Sequence, residues 1–433
     1  MQEFGRASTT STGLKTPNDL ELAAVTCSHR QNEPNDDHQR SLSVNATIRN
    51  ALHLSSACLL LMSHCTFGEP ATDDLAALGQ ALFFDTSLSA NRSQSCASCH
   101  DPDRAFSESR DNGVSRAVSL GDDGLSLGDR NTPATTYASL IPEFHLNESN
   151  EYVGGYFLDG RAATMVDQAG GPFVNPIEMA LPDRGAVVDR VRENPSYVQL
   201  FKKSFGPTIF YDTERAFLAI TESIVAFEQT AAFATFDSKY DRYLQGEAEL
   251  SVEEELGRLL FFSQPINCSK CHLLDTREFL AGEVFSNHKY HNIGVPPNNK
   301  VREKNYIDTG YRDLGLFGNP AVNDPDEKGK FRVPSLRNVA VTGPYMHNGV
   351  FENLRTAILF YNRFLLNNRQ SQTNPETGQL WAEPEVVGTV DLELLRAGQP
   401  LAERQVNALL AFLTALTDRR YESLLNESVL QSR

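Results

Sequence analysis

The chain contains Cys96-Ala97-Ser98-Cys99-His100 and, further on, Cys268-Ser269-Lys270-Cys271-His272. In both pentapeptides a pair of cysteines is followed directly by a histidine. The segment ahead of each copy also repeats, as Leu-Gly-Gln-Ala-Leu-Phe-Phe over 78–84 and as Leu-Gly-Arg-Leu-Leu-Phe-Phe over 256–262. A unit that recurs in this way indicates that one structural module has been duplicated.

Hydrophobic residues around the two copies repeat at helical spacing, which predicts amphipathic helices. The positions that show this spacing are Leu75, Leu78 and Leu82; Phe217, Ile220, Ile224 and Phe227; and Val406, Leu409, Leu413 and Leu416. Ser251 and Glu254 form a Ser-x-x-Glu capping box, which predicts that a helix begins ahead of the second copy. Each copy closes on an Arg-x-Phe tripeptide, at 104–106 and at 277–279.

The pentapeptides indicate haem attachment. In Cys-x-x-Cys-His, the two thiols lie on one side of a helical turn and can add to the vinyl groups of a haem, while the histidine reaches the iron as its proximal ligand. Zinc ribbons place two Cys-x-x-Cys pairs roughly 15–20 residues apart, whereas the two histidines here are 172 positions apart. A thioredoxin-like site lacks the following histidine and accompanies a βαβ pattern, which this chain does not show. We therefore expect two covalent haems c, held by Cys96, Cys99 and His100 and by Cys268, Cys271 and His272.

The fold class follows from these elements. Strand-like alternation is scarce, and stretches rich in Gly, Pro and Asn, such as 108–135 and 292–335, indicate long loops. We expect a mostly α fold with little β, built as two cytochrome c-like domains with one covalent haem each. The first, peroxidatic domain spans 67–240 and the second, electron-transfer domain spans 241–433, after a disordered extension and signal peptide at 1–66.

The first 66 residues predict export. The apolar run at 51–62 has the length of a signal-peptide core and is too short to span a bilayer. We expect cleavage near Thr66, a periplasmic protein and no transmembrane span. Cys65 is an alternative acceptor for a lipid anchor, but His64 stands where a small residue is expected, which favours simple cleavage.

The net charge of −17 excludes nucleic acid as a partner, because phosphate binding needs clustered Lys and Arg. Such an acidic surface can steer a basic redox partner, or it simply keeps the protein soluble. Two haems in one chain allow two classes of function. An electron carrier needs both irons six-coordinate, whereas a peroxidase needs one open iron and an acid–base group beside it.

The chain resembles the bacterial di-haem cytochrome c peroxidase family, including its MauG-like branch. The resemblance covers roughly residues 70–420 and includes the two pentapeptides and their spacing. The further matching segments are Arg130-Asn-Thr-Pro133, Asp159-Gly-Arg161, Phe331-Arg-Val-Pro-Ser-Leu-Arg-Asn338, Pro344-Tyr-Met-His-Asn-Gly349 and the C-terminal helix.

At the first haem the resemblance implies an open iron. Ordinary cytochrome c peroxidases carry a ligating histidine in the loop after this site, but 101–144 contains none, and His145 lies beyond that loop. Gln168 and Glu178 stand where MauG-like enzymes have their distal glutamine and glutamate. A carboxylate there would take a proton from one oxygen of peroxide and return it to the leaving oxygen, which is typically worth ~10²–10⁴-fold in rate.

At the second haem the resemblance implies a sixth ligand. Tyr361 stands at the family's ligand position, where MauG-like members have tyrosine and ordinary peroxidases have methionine. Met346 is the alternative ligand, although its loop position favours packing near the haem edge. The family also binds calcium between the haems, and Asn131 and Pro172 match positions of that site. Carbonyl oxygens suit calcium.

Two departures from the family concern electron transfer. Leu158 replaces the tryptophan that stands before Asp-Gly-Arg in the family, between the haems, and Ile266 replaces a surface tryptophan near the second haem in MauG. A leucine cannot act as an aromatic relay, so charge sharing would have to use Tyr156 or Phe157 instead. The one tryptophan of the chain is Trp381.

The sequence thus predicts a MauG-like di-haem peroxidase. It would use hydrogen peroxide to reach a high-valent state that oxidises a tryptophan or tyrosine of a partner protein. The first alternative is a cytochrome c peroxidase that reduces peroxide to water with electrons from a small cytochrome c or cupredoxin. The second, from another class, is a non-enzymatic di-haem electron carrier.

Overall fold

The computed structural model describes residues 72–273, 282–308 and 310–425. The predicted signal peptide, Cys65 and the tripeptide at 277–279 lie outside these residues. Helices are the main regular element of the described part, and its strands are only two residues long. The prediction of a mostly α fold with little β is therefore confirmed.

Thirteen α-helices occur in the described ranges: α1 (Thr72–Phe83), α2 (Cys96–Cys99), α3 (Met165–Val174), α4 (Arg184–Arg192), α5 (Pro195–Phe205), α6 (Thr213–Glu228), α7 (Lys239–Leu244), α8 (Val252–Phe262), α9 (Asn299–Lys304), α10 (Leu354–Phe360), α11 (Asn362–Leu365), α12 (Leu392–Arg396) and α13 (Glu403–Thr414). Short 3-10 helices lie between them at Thr86–Leu88, Pro102–Arg104, Ala138–Leu140, Ile209–Tyr211, Cys268–Lys270, Leu316–Gly318, Pro325–Glu327, Val339–Val341 and Arg419–Leu424.

Four strands form two antiparallel pairs. β1 (His145–Leu146) pairs with β2 (Tyr152–Val153), so that His145 stands opposite Val153. β3 (Tyr290–His291) pairs with β4 (Phe331–Arg332), so that Tyr290 stands opposite Arg332.

The duplication seen in the sequence is a repeated pair of packed helices. Helix α1 packs against α6, and α8 packs against α13. The glycine of each repeated Leu-Gly segment lies where the two helices meet. A Cβ on Gly79 would stand 1.7 Å from the carbonyl oxygen of Ser223, and a Cβ on Gly257 would stand 1.9 Å from that of Ala408. Glycine is therefore required at both crossings, because any other residue would force the helices apart.

The predicted helix start at Ser251 is confirmed. The Ser251 hydroxyl accepts a bond from the backbone N–H of Glu254 at 3.2 Å, and the Glu254 carboxylate accepts one from the backbone N–H of Ser251 at 2.6 Å. The stretch 292–335, which was predicted as loop, differs from the expectation. It contains α9, whose first turn is capped by the side chain of Asn298, and β4, which is held by its partner strand.

Two large apolar clusters form the core. The first is built around the contact of α1 with α6 and includes the buried rings of Phe83, Phe201 and Phe233. The second is built around the contact of α8 with α13 and includes the rings of Phe261 and Phe412. Within the described residues, no helix is both long enough and apolar enough to cross a bilayer.

Candidate active site

One cavity of about 790 Å³ is lined by both pentapeptides. Its volume lies in the range of roughly 300–1,000 Å³ that is typical of ligand and cofactor sites. Every site residue that the sequence predicted lines this cavity: Cys96, Cys99, His100, Asn131, Gln168, Pro172, Glu178, Cys268, Cys271, His272, Met346 and Tyr361. Tertiary structure thus brings together residues that are spread over more than half of the chain.

The first pentapeptide forms the short helix α2 and presents its histidine in one defined tautomer. The backbone N–H of His100 bonds the carbonyl oxygen of Cys96 at 2.9 Å, which closes the turn. The Nδ1 atom of His100 lies 3.1 Å from the carbonyl oxygen of Phe106. Because a carbonyl oxygen can only accept, Nδ1 carries the proton and Nε2 keeps a lone pair with which to ligate a metal. Burial lowers the pKa of His100, which keeps the imidazole neutral.

The second pentapeptide repeats this arrangement. The backbone N–H of His272 bonds the carbonyl oxygen of Cys268 at 3.0 Å, and its Nδ1 donates to the carbonyl oxygen of Phe285 at 3.1 Å. Burial lowers the pKa of His272 to about 4. Phe285 and Phe106 both have a left-handed backbone, with φ of 57° and 55°.

Phe285 is a positioning residue that sequence reasoning missed. The repeated Arg-x-Phe pattern suggested 277–279 as the counterpart of 104–106, and 277–279 lies outside the described residues. The carbonyl that orients the histidine comes six residues after His100 but thirteen after His272. Because the second loop is longer, the sequence spacing carried no signal for Phe285.

The four cysteines are free thiols, and burial raises the pKa of each. For Cys99 and Cys271 the pKa rises to about 11. The Cys99 sulfur also accepts hydrogen bonds from Gln94 at 3.0 Å and from Arg110 at 3.2 Å. Each site therefore presents two unpaired thiols and one neutral imidazole in an enclosed cavity, a donor set that fits a covalently attached haem.

Gln168 and Glu178 both line the cavity, and Glu178 lies near the first pair of cysteines. Gln168 lies in the middle of α3, and Glu178 lies in the turn that follows this helix, where its backbone N–H bonds the carbonyl oxygen of Asn175 at 3.0 Å. The Glu178 carboxylate is close enough to Cys96 and Cys99 to raise the pKa of both thiols. Burial raises the pKa of Glu178 itself, while the Arg161 guanidinium opposes this rise.

His145 does not take part in the cavity. It lies exposed on β1, and its Nδ1 bonds the carbonyl oxygen of Glu143 at 2.8 Å. The open first iron stays a prediction that rests on the absence of histidine from 101–144.

Tyr361 lies at the second site. It ends α10, and burial together with the nearby thiols of Cys271 and Cys268 raises the pKa of its phenol. Met346 also lines the cavity, but it packs against the apolar cluster around Phe351, as a residue near the haem edge would. The geometry thus favours Tyr361 over Met346 as the side chain that faces the second pair of cysteines.

The two predicted calcium positions differ in the oxygen that each has available. The Asn131 amide group donates to the carbonyl oxygen of Ala117 at 3.1 Å, which leaves its own side-chain oxygen unused. The carbonyl oxygen of Pro172 accepts two backbone bonds, from Met179 at 3.1 Å and from Asn175 at 3.3 Å. A carbonyl oxygen has two lone pairs, so Pro172 has none left for a cation and does not fit this role.

Four buried polar residues that the sequence did not single out line the cavity with a side-chain atom that has no hydrogen-bond partner in the described structure: Gln94, Glu228, His288 and Arg332. Burial raises the pKa of Glu228 to about 8. The only sequence signal for Glu228 is its place beside the apolar stripe of α6, next to Phe227.

Comparison with known proteins agrees with this site. The family model "Di-haem cytochrome c peroxidase" matches residues 73–249. The methylamine utilization protein MauG of Paracoccus denitrificans is 50% identical over 359 residues, which are 83% of this chain and 92% of that protein. The cytochrome c peroxidase Ccp of Escherichia coli is 30% identical over 304 residues, 70% of this chain and 56% of that protein.

Among solved structures, the di-haem peroxidase BthA from Burkholderia thailandensis superposes with a TM-score of 0.70 at 31% identity. The match covers 82% of this chain and 88% of that one. Since half of the aligned residues are identical to a relative matched over nearly its whole length, the chain belongs to the di-haem cytochrome c peroxidase family, in its MauG-like branch, and is a haem-dependent peroxidase.

Proposed function

We propose that the first site is where hydrogen peroxide reacts, and that the oxidising equivalents are passed on to a tryptophan or tyrosine side chain of a partner protein. The observation that carries this proposal is the Glu178 carboxyl. It lies in the cavity beside Cys96 and Cys99, and its pKa is raised by burial. A carboxyl at this place suits a peroxidase, because an acid–base group beside the reacting oxygen is what distinguishes a peroxidase from an electron carrier.

Covalently bound haems would supply the redox chemistry at both sites, with His100 holding the first through Nε2 and His272 and Tyr361 holding the second. The Glu178 carboxylate would take a proton from one oxygen of hydrogen peroxide and return it to the other, so that this second oxygen can leave as water; the two electrons that breaking the O–O bond requires would come from the haem. The Gln168 amide, on α3, donates a hydrogen bond that orients the peroxide.

Several further features are part of the same proposal. We propose that 67–240 and 241–433 are two cytochrome c-like domains. Two apolar clusters support this, one with buried members from 78 to 233 and one with buried members from 240 to 416, so that only Tyr240 falls on the other side of the proposed boundary. We also propose that the mature protein is periplasmic, as its predicted leader suggests. A calcium ion between the haems stays a prediction, supported at Asn131 and not at Pro172.

Adding one equivalent of peroxide to the fully ferric, two-haem protein tests the proposal. We expect an immediate reaction, in which both ferric EPR signals disappear together. A reaction that begins only after one haem is reduced would instead identify a cytochrome c peroxidase that depends on an electron-donating carrier.

The Glu178→Gln variant tests the role of the carboxyl in the same assay. We expect the reaction with peroxide to slow by ~10²–10⁴-fold, with both ferric haem spectra nearly unchanged. Glu222→Gln is the matched control, because burial also raises the pKa of Glu222 but this residue does not line the cavity. An unchanged rate in Glu178→Gln would remove this carboxyl from the mechanism.

A further inference from the structure

Arg332 is a buried arginine without a carboxylate partner. It lies on β4 and is 5% exposed. Its one hydrogen bond from the side chain reaches the carbonyl oxygen of Val333 at 3.4 Å, and its Nε atom has no partner. The other buried arginines of the described ranges differ, since Arg258 pairs with Glu255 and Arg337 pairs with Asp241.

The neighbours of Arg332 do not neutralise its charge. The nearest ionisable groups are Tyr156, Tyr290 and His288. Burial raises the pKa of both tyrosines, so their phenols are neutral, and burial together with Arg332 lowers the pKa of His288 to about 4. An unpaired buried charge costs several kcal/mol. The positive charge of Arg332 is therefore uncompensated, and this favours the binding of an anion.

His288 adds a second unused polar atom to the same place. It is 2% exposed, its Nδ1 lies 3.3 Å from the hydroxyl of Ser286, and its Nε2 has no partner. Ser286 in turn donates to the carbonyl oxygen of Val333, the residue after Arg332. This network holds the imidazole and the guanidinium side by side on the wall of the cavity.

The place of this pair along the cavity is defined by its backbone bonds. The backbone N–H of Arg332 donates to the carbonyl oxygen of Leu158 at 2.9 Å. Leu158 belongs to the half of the chain that contains the first pentapeptide, and it lines the same cavity. His288 follows Phe285, whose carbonyl oxygen orients His272. The pair therefore lies on the side of the second site that faces the first.

We propose that Arg332 and His288 bind a propionate carboxylate of haem between the two sites. The inference rests on the proposed haem at both pentapeptides. The propionates are the anionic part of haem, and a guanidinium is the donor group that best matches a carboxylate, through two parallel bonds. Here Nε and the second terminal nitrogen of Arg332 donate to the carboxylate. The one N–H of neutral His288 is on Nδ1 and donates to Ser286, whose own hydrogen goes to Val333; Nε2 donates a third bond when the carboxylate beside it stabilises the imidazolium.

The test uses the two-haem protein and two variants, Arg332→Met and Arg332→Lys. We expect the propionate-bending band of the resonance Raman spectrum to shift in both variants, because the two parallel bonds are lost. In Arg332→Met the reduction potential of at least one haem should also fall, because loss of the positive charge beside the carboxylate stabilises ferric iron. The lysine variant keeps the charge, so its potential should stay closer to that of the wild type.

Lys330→Met is the matched control, since it removes a positive charge two residues away that already pairs with Glu327 at 3.0 Å and does not line the cavity. If Arg332→Met fails to fold, the propionate-bending band of Arg332→Lys alone tests the inference. A Raman band and potentials that match the wild type in every folded variant would overturn the inference. Fewer than two haems per wild-type chain, by pyridine haemochromogen assay, would instead overturn the proposed function.

Discussion

Glu228 shows how burial alone changes the chemistry of a carboxyl group. It ends α6 with one oxygen unpartnered, and burial raises its pKa from the ordinary 4.5 to about 8. At neutral pH the folded protein therefore holds Glu228 protonated, while the unfolded chain ionises it. The folded state thus binds more protons than the unfolded state between pH 4.5 and 8, so stability must fall as the pH rises through this window.

The Glu228→Gln variant should remove this pH dependence. We expect the free energy of unfolding of the wild type, relative to the variant, to decrease between pH 5 and pH 8 by at most about 1.4 kcal/mol per pH unit. Urea unfolding of both proteins at several pH values measures the difference. Parallel stability curves for the two proteins would show that Glu228 is ionised in the folded state.

A second prediction at the scale of single residues concerns the pH dependence of the peroxide reaction, which should depend on Glu178 and Arg161. Glu178 must be deprotonated to accept a proton, so the peroxide reaction should slow as the pH falls through its raised pKa. The Arg161 guanidinium counteracts the rise, while it also pairs with Asp159 at 3.0 Å. In Arg161→Gln we therefore expect the acid limb of the pH–rate profile to move to higher pH.

Stopped-flow rates from pH 4 to pH 9 measure this shift. Arg92→Gln is a suitable control, because Arg92 pairs with Glu193 on the surface and both side chains are about half exposed. An acid limb at the same pH in wild type and Arg161→Gln would mean that another group controls the rate.

At the scale of elements, a repeated pair of packed helices organises each half of the protein. Close contact of α1 with α6 and of α8 with α13 depends on the absence of a side chain at Gly79 and Gly257. The same contact explains why Leu-Gly is repeated ahead of both pentapeptides, since each pentapeptide follows its packed helix after a connecting segment, 84–95 in the first copy and 263–267 in the second. The helix pairs thus hold the two cysteine–histidine sites at equivalent places in each half.

Alanine at either glycine should destabilise the protein. The added Cβ would collide with backbone, so the helices must separate, and overpacking of this kind costs typically about 1–3 kcal/mol. Thermal or urea unfolding of Gly79→Ala and Gly257→Ala measures the loss. Gly318→Ala is the control, because a Cβ there meets no atom within 4 Å. Equal stability of all three variants would contradict the close packing of the helices.

At the scale of the whole molecule, ion pairs join parts of the chain that are far apart in sequence. Arg130 pairs with Asp159 at 2.6 Å and with Asp313 at 2.7 Å, and both aspartates are nearly buried. Burial would raise the pKa of Asp313, but the hydrogen bonds and charge of Arg130 lower it below the ordinary value. The pair therefore stabilises the fold at neutral pH, and this contribution is lost as the pH falls through the lowered pKa of Asp313.

Arg130→Met should be among the most destabilising substitutions of a charged residue. It leaves the buried Asp313 carboxylate without its ion-pair partner and Asp159 with Arg161 alone. Breaking a buried pair in this way costs about 3–5 kcal/mol. Urea unfolding at pH 7 gives the difference from wild type. Arg192→Met breaks an exposed pair with Asp189. For this variant we expect the free energy of unfolding to fall by less than about 1 kcal/mol. Similar losses in the two variants would show that the Arg130 network adds little.

The sequence by itself determined the helical class, the duplication and the candidate residues for haem attachment, because these depend on local spacing. Two cysteines and a histidine within five residues predict a haem site from their spacing alone, and a Ser-x-x-Glu box predicts a helix start. The candidates Glu178, Gln168 and Tyr361 came from resemblance to a family. Tertiary structure was needed to bring them into one cavity with the cysteines.

Only the tertiary structure decided which polar groups are buried and what partners they have. Nothing local to Arg332 or His288 distinguishes them from surface residues, and Glu228 has only its place beside an apolar stripe, because burial depends on helices and loops that are distant in sequence. The same holds for Phe285, whose carbonyl oxygen orients His272 across a loop of unpredictable length. The occupied carbonyl of Pro172 is a further case, since its two hydrogen bonds form only when the turn after α3 closes.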